Sequence, residues 1–140
     1  MRIYAFDPGK ITGIAVWETD TSTFYADQLD VFGLYEYVDS ACELIGQAQI
    51  EKFTITAATL KKARESAPLD VIGYLKYCAW RCDFPVGWSQ PADVMRSFPD
   101  ASLKKGGLHT PGKQHANDAA RHLAWTLVKG GLRQAGDFIL

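Results

Sequence analysis

The sequence has no apolar run approaching the roughly 18 residues that a membrane-spanning helix needs. Its start, "MRIYAFD", reaches an acid at once, so it does not read as a secretory signal. Cysteine is scarce. Cys42, Cys78 and Cys82 are an odd set, and no second Cys or His pair accompanies Cys78 and Cys82, which argues against a zinc site and a disulfide-framework domain. The expectation is therefore a cytoplasmic protein with reduced thiols, Cys78 and Cys82 packing on one face of a helix. There is no excess of positive charge either: the net charge is −1. No repeat, linker or low-complexity tract interrupts the chain, which excludes solenoids and flexible arrays. Gly9-Lys10 lacks the upstream glycine of a phosphate loop.

What is present fits one folded unit. The 140 residues are 47% hydrophobic, enough for a single domain spanning residues 1–140 around one core. The charge is unevenly placed. Residues 1–51 carry 2 Lys/Arg against 9 Asp/Glu, and the remainder carries 13 against 7. That asymmetry suits a polyanion-facing surface, and equally two halves that attract each other within one fold.

Hydrophobic periodicity predicts strands at 2–7, 11–18 and 23–30, joined by the turn chemistry of Pro8-Gly9 and of residues 19–23. A helix is expected over 33–48, from Leu34, Tyr37, Val38, Ala41, Leu44 and Ile45 at helical spacing, then a strand over 48–55. Residues 56–68 are polar and read as a loop or a poorly packed helix. A helix over 68–82, a strand over 86–91, short helices over 92–99 and 100–107, and a last helix over 115–131 complete the order. This predicts an α/β fold: a mixed five-stranded sheet, three strands antiparallel and two parallel, flanked by helices.

In that arrangement Asp7 ends the first strand and Glu51 lies near the end of the fourth. If those strands are parallel neighbours, both carboxylates reach one sheet edge. His115 and Asp118 are three apart in the last helix and share a face. Acids gathered in this way repel unless a cation joins them. Hard divalent ions take oxygen ligands, and two ions about 4 Å apart can support phosphodiester hydrolysis. A neighbouring histidine can act as base or ligand. Singly, each residue has an ordinary explanation: Asp7 as a turn former, Glu51 as a solvated strand edge, Asp118 as a dipole-favourable helix start, His115 as a solvated side chain. His122, four residues after Asp118, could share that face but is expected on the flank of the helix, and His109 in a mobile loop.

Three stretches resemble the RuvC-like Holliday-junction resolvases, whose fold is ribonuclease-H-like. "FDPGKITGIAVW" is similar to their first-strand motif, "QPADVMRSF" to their last strand end and turn, and "QHANDAARHLAW" to their closing helix. The short length resembles small phage-type members. The resemblance implies a metal-dependent, structure-selective endonuclease acting on Holliday junctions, forks and flaps, and leaving a 5′-phosphate and a 3′-hydroxyl. It implies Asp7, Glu51, His115 and Asp118 as metal-binding catalytic residues, with Mg²⁺ or Mn²⁺, two ions, as cofactor. Many members carry an acid where His115 stands. It also implies a homodimer through the 68–82 helix, where Tyr74, Tyr77 and Trp80 either form that contact or cover the sheet. Lys10, Lys61, Lys62, Arg64, Lys104, Lys105 and Lys113 are the expected phosphate contacts. The localisation expected is the cytoplasm, that of the host cell for a phage-encoded protein. Two alternatives are a ribonuclease-H-like nuclease acting on RNA or RNA–DNA hybrid, and a junction-binding module without catalysis. A sugar-kinase or actin-like ATPase is excluded by the short length and the absence of a second phosphate motif.

Overall fold

Side chains alternate between the two faces of a strand, and β1 (Arg2–Asp7) uses both. Tyr4 and Phe6 enter one hydrophobic cluster, Ile3 and Ala5 another, and all four are buried. β1 is therefore a central strand. The computed structural model describes residues 1–53 and 66–140. Lys61, Lys62 and Arg64 lie outside the described residues.

β2 (Ile11–Glu18) and β3 (Thr23–Asp30) follow as an antiparallel meander. β4 (Ile45–Glu51) runs parallel to β1, and β5 (Val86–Ser89) parallel to β4. The strand order is β3-β2-β1-β4-β5, the mixed sheet expected from the sequence. On one face, α1 (Val31–Ala41) and α2 (Ala67–Cys82) bury Leu34, Val38, Val71, Ile72, Leu75 and Cys78 against Tyr4, Phe6, Ile14 and Ile50. On the other face lie α3 (Pro91–Ser97), α4 (Asp100–Gly106) and α5 (Gln114–Lys129). Here the contact residues are small. Ala5 and Ala15 of the sheet meet Ala119, Ala120 and Ala124 of α5, so the helix backbone comes close to the strands.

The closest approach is at Gly13. A methyl group there would overlap the backbone carbonyl of His115 in the first turn of α5. Glycine is needed because another backbone occupies the space of the side chain. Gln28 of β3, paired with Gly13, holds the same helix start. Its side-chain oxygen accepts from the amides of His115 (3.1 Å) and Ala116 (3.4 Å), two of the donors that a helix N-terminus leaves unsatisfied. Lys113, which precedes the helix, provides no side-chain cap of its own. The preceding loop is fixed by Asn117, which accepts from the Thr110 amide (2.8 Å) and donates to its carbonyl (2.9 Å).

Two expectations require correction. The helix predicted over 33–48 ends at Ala41, and a 3₁₀ turn (Cys42–Leu44) leads straight into β4. Ile45 continues the helical spacing, but it is buried as the first residue of a strand paired with Arg2. Pairing with a central strand outweighs the helical pattern over these few residues. The cysteines are also not all reduced: Cys42 and Cys82 form a disulfide, and only Cys78 is free. Their Cα atoms are 6.0 Å apart, within bridging range. The pairing joins residues 40 apart in sequence, so no local spacing signals it.

The seat of α5 generates a stability prediction. Gly13→Ala forces the first turn of α5 off the sheet and is expected to cost at least ~1–3 kcal/mol, the usual range for overpacking. Urea unfolding of the variant measures it. An unchanged midpoint would show that the helix start is not held at this point.

Candidate metal centre

Five residues form one row across the whole sheet. Gln28 pairs with Gly13, Gly13 with Asp7, and Glu51 with Ser89. The parallel pairing of Phe6 with Ile50 puts Asp7 beside Glu51. Because residues in register share a face, all five side-chain positions look towards α5. The helix answers with His115, Asp118 and His122, spaced along one stripe. The sheet edge and the helix stripe therefore enclose one small polar volume.

Within it, His115 Nδ1 lies 3.9 Å from Asp7 Oδ2. Asp7, His115 and Asp118 each offer a ligand atom, and these atoms lie within 4.8 Å of one another. Glu51 stands next to Asp7 across the β1–β4 pairing, close enough for each carboxyl to shift the other. The four residues named from the sequence thus converge: three as a tight group, the fourth at its flank. Three carboxylates and an imidazole nitrogen are a hard donor set that fits Mg²⁺ or Mn²⁺ better than a thiophilic ion.

The electrostatics are unfavourable without a cation. Burial first, then the hydrogen bond with Glu51 and the charges of Glu51 and Asp118, push the Asp7 carboxyl up to about 10, opposed by Arg121. Asp118 is raised too, mainly by burial, with Arg121 opposing and Glu51 adding. Glu51 goes the other way. Burial raises it, but hydrogen bonds with His122 and Asp7 outweigh that and hold it below its usual range. One proton therefore resides on the Asp7 side of the pair, and a bound divalent cation would displace it.

Two residues of α5 shape the centre and were not assigned to it from the sequence. Arg121 is buried and anchored on three sides: Nε donates to the Phe98 carbonyl (3.0 Å), one terminal nitrogen to Asp118 Oδ1 (2.7 Å), the other to Asp100. It occupies one oxygen of Asp118 and leaves the other free. His122, expected on the flank of the helix, is in fact 1% exposed and bonded to Glu51 and Ser89. Its seven-residue spacing from His115 was the available signal, but the side chains it meets come from β4 and β5.

The basic residues divide. Lys10 is exposed in the turn that follows Asp7. Lys113 sits at the start of α5, where Nζ donates to Asp27 Oδ1 (2.7 Å). With His109, Gln114, Asn117 and Asp118 it lines an open polar cavity of about 460 Å³. Lys104 and Lys105 are in the last turn of α4, outside that lining; Lys105 donates to the carbonyls of Gly136 and Ile139. A larger apolar cavity of about 660 Å³, under the C-terminal residues, has no acid in its lining. On α2, Tyr74 donates to the Tyr35 carbonyl (3.0 Å), whereas Tyr77 and Trp80 face outwards, Trp80 79% exposed. Among the described residues, no helix is long and apolar enough to cross a membrane.

The raised Asp7 carboxyl sets a pH dependence. The metal-free folded protein keeps this proton between the ordinary carboxylate range and about 10, while the unfolded chain has lost it. Stability therefore falls as pH rises through that window. Asp7→Asn removes the penalty and is expected to stabilise the metal-free protein at pH 7, with little gain at pH 4. Denaturant midpoints at both values check this, and destabilisation at pH 7 would contradict it.

No protein-family model matches the sequence, and no curated protein matches it. Solved structures do. One is RuvC of Thermus thermophilus in complex with a Holliday junction substrate: TM-score 0.67, 12% identity, covering 94% of this chain and 96% of that one. A second Thermus thermophilus RuvC structure gives a TM-score of 0.63 at 14% identity, covering 94% and 97%. The strand order, the flanking helices and this near-complete overlap agree: the chain has a RuvC-like, ribonuclease-H-like fold.

Proposed function

We propose that this protein is a divalent-metal-dependent endonuclease acting on branched DNA, Holliday junctions foremost. One observation carries the proposal: Asp7, Glu51, His115 and Asp118 come together at a single sheet edge of a RuvC-like fold. A module that only bound DNA would gain nothing from three carboxylates facing phosphates. The RuvC neighbour solved with a Holliday junction supports branched DNA as the substrate class.

In this proposal Asp7, Asp118 and His115 hold the metal, with Glu51 completing the set. When bound, Mg²⁺ or Mn²⁺ supplies Lewis acidity, neutralising the phosphate and lowering the pKa of water. As a ligand Asp7 would be ionised, its proton released to solvent when the ion binds. Arg121 keeps Asp118 in one orientation. Lys10 and Lys113 stand where flanking phosphates would pass, and neutralise them. His115, 43% exposed at its side chain, is open enough to reach substrate as ligand or base. Selectivity rests on DNA shape rather than on base edges. A symmetrical junction calls for two active sites, and the outward Tyr77 and Trp80 of α2 supply a candidate homodimer surface.

The decisive assay offers four-way, forked and linear DNA, and an RNA–DNA hybrid, with and without Mg²⁺ or Mn²⁺. Metal-dependent cuts near the branch are expected. Asp7→Asn is expected to reduce cutting by at least ~10³-fold while junction binding in a gel shift persists. Wild-type rates in that variant would sink the assignment, and preferential cutting of hybrid would overturn the substrate.

A further inference from the structure

Glu51 is the one acid of the four outside the tight Asp7–His115–Asp118 group, and it is held from behind. His122 Nε2 lies 3.2 Å from Glu51 Oε2, and His122 Nδ1 lies 2.5 Å from Ser89 Oγ. Both supporting residues are enclosed, His122 1% and Ser89 7% exposed. Ser89 is also the register partner of Glu51 on β5. The chain Ser89–His122–Glu51 thus ties the last helix to both parallel strands at the row that carries the acids.

The donors can be assigned from chemistry. An ionised carboxylate only accepts, and a neutral imidazole has one donor and one acceptor nitrogen. Facing a carboxylate, Nε2 is the donor whether the ring is neutral or charged, and in a neutral ring Nδ1 then accepts from the Ser89 hydroxyl. Metal-binding sites commonly fix a ligand through such an outer partner. His122 itself has almost no access to solvent, so it is no candidate for activating water. Without His122 behind it, the Glu51 carboxylate loses the contact that fixes Oε2 towards the helix.

We infer that His122 is a positioning residue for Glu51 and that Ser89 orients its ring, so that the Glu51 carboxylate is kept at the edge where Asp7, His115 and Asp118 would hold a divalent ion. This rests on the metal-dependent nuclease proposed above. It adds His122 and Ser89 to the four residues named from the sequence.

The test compares wild type with His122→Phe, which fills the space but cannot donate, His122→Gln, which restores a donor, and Ser89→Ala. Long-range ¹H–¹⁵N spectra of the metal-free wild type are expected to show His122 as a single neutral tautomer protonated at Nε2, and Ser89→Ala to mix the tautomers. Calorimetric titration with Mn²⁺ is expected to show His122→Phe about 10–100-fold weaker, with His122→Gln recovering most of the loss. Cleavage by His122→Phe should need correspondingly more Mn²⁺ yet approach the wild-type rate at saturation, which a general loss of structure would not give. Should His122→Phe fail to fold, the wild-type spectrum and the other two variants decide. An Nε2 that carries no proton, or Mn²⁺ affinity unchanged in a folded His122→Phe, overturns the positioning role while leaving the nuclease proposal intact. A wild type that binds no Mn²⁺ overturns the nuclease proposal, and the role of His122 with it.

Discussion

The backbone of α5 rests directly on β2 at Gly13, and the whole centre depends on that contact. Gly13 lies in the row of residues that crosses the sheet from Gln28 through Asp7 to Glu51 and Ser89. The missing side chain lets the helix start come down on the row. Gln28 then caps its amides, and the alanines of both surfaces keep the rest of the helix near. His115, Asp118 and His122 are consequences of that seating. A helix held one methyl group further out would leave its residues short of Asp7.

The same closeness concentrates charge. Burial first, and then neighbouring charge, raises the Asp7 and Asp118 carboxyls, while hydrogen bonding holds Glu51 low. The protein moderates this with Arg121 on Asp118 and His122 on Glu51, each acting from the buried side and leaving the open side clear. Such unresolved repulsion is a cost to stability of the kind that functional sites retain. The divalent cation proposed for this edge would relieve it.

Much of this was legible in the sequence. Period-two alternation marked the first three strands to the residue, and Asp7, Glu51, His115 and Asp118 could be brought to one edge once β1 and β4 were taken as parallel neighbours. The failures share a physical cause. The end of α1 was missed because Ile45 fits both the helical stripe and the strand face, and only pairing with β1 decides between them. Gln28, Ser89 and His122 were missed because each acts on a residue distant in sequence, and Arg121 because its other anchors, Phe98 and Asp100, come from outside its helix. A glutamine in the middle of a strand looks like a solvated polar position until a helix end is placed above it. The Cys42–Cys82 bond was hidden for the same reason, since Cys42 belongs to the turn after α1 and Cys82 to the end of α2.

The central claim is that this sheet edge holds a divalent cation between β1, β4 and α5. Anomalous diffraction from crystals grown with Mn²⁺ tests it most directly. The account predicts an anomalous peak in contact with the carboxylates of Asp7 and Asp118, with His115 and Glu51 at its sides. Crystals that hold Mn²⁺ elsewhere, or bind none at this edge, would contradict it.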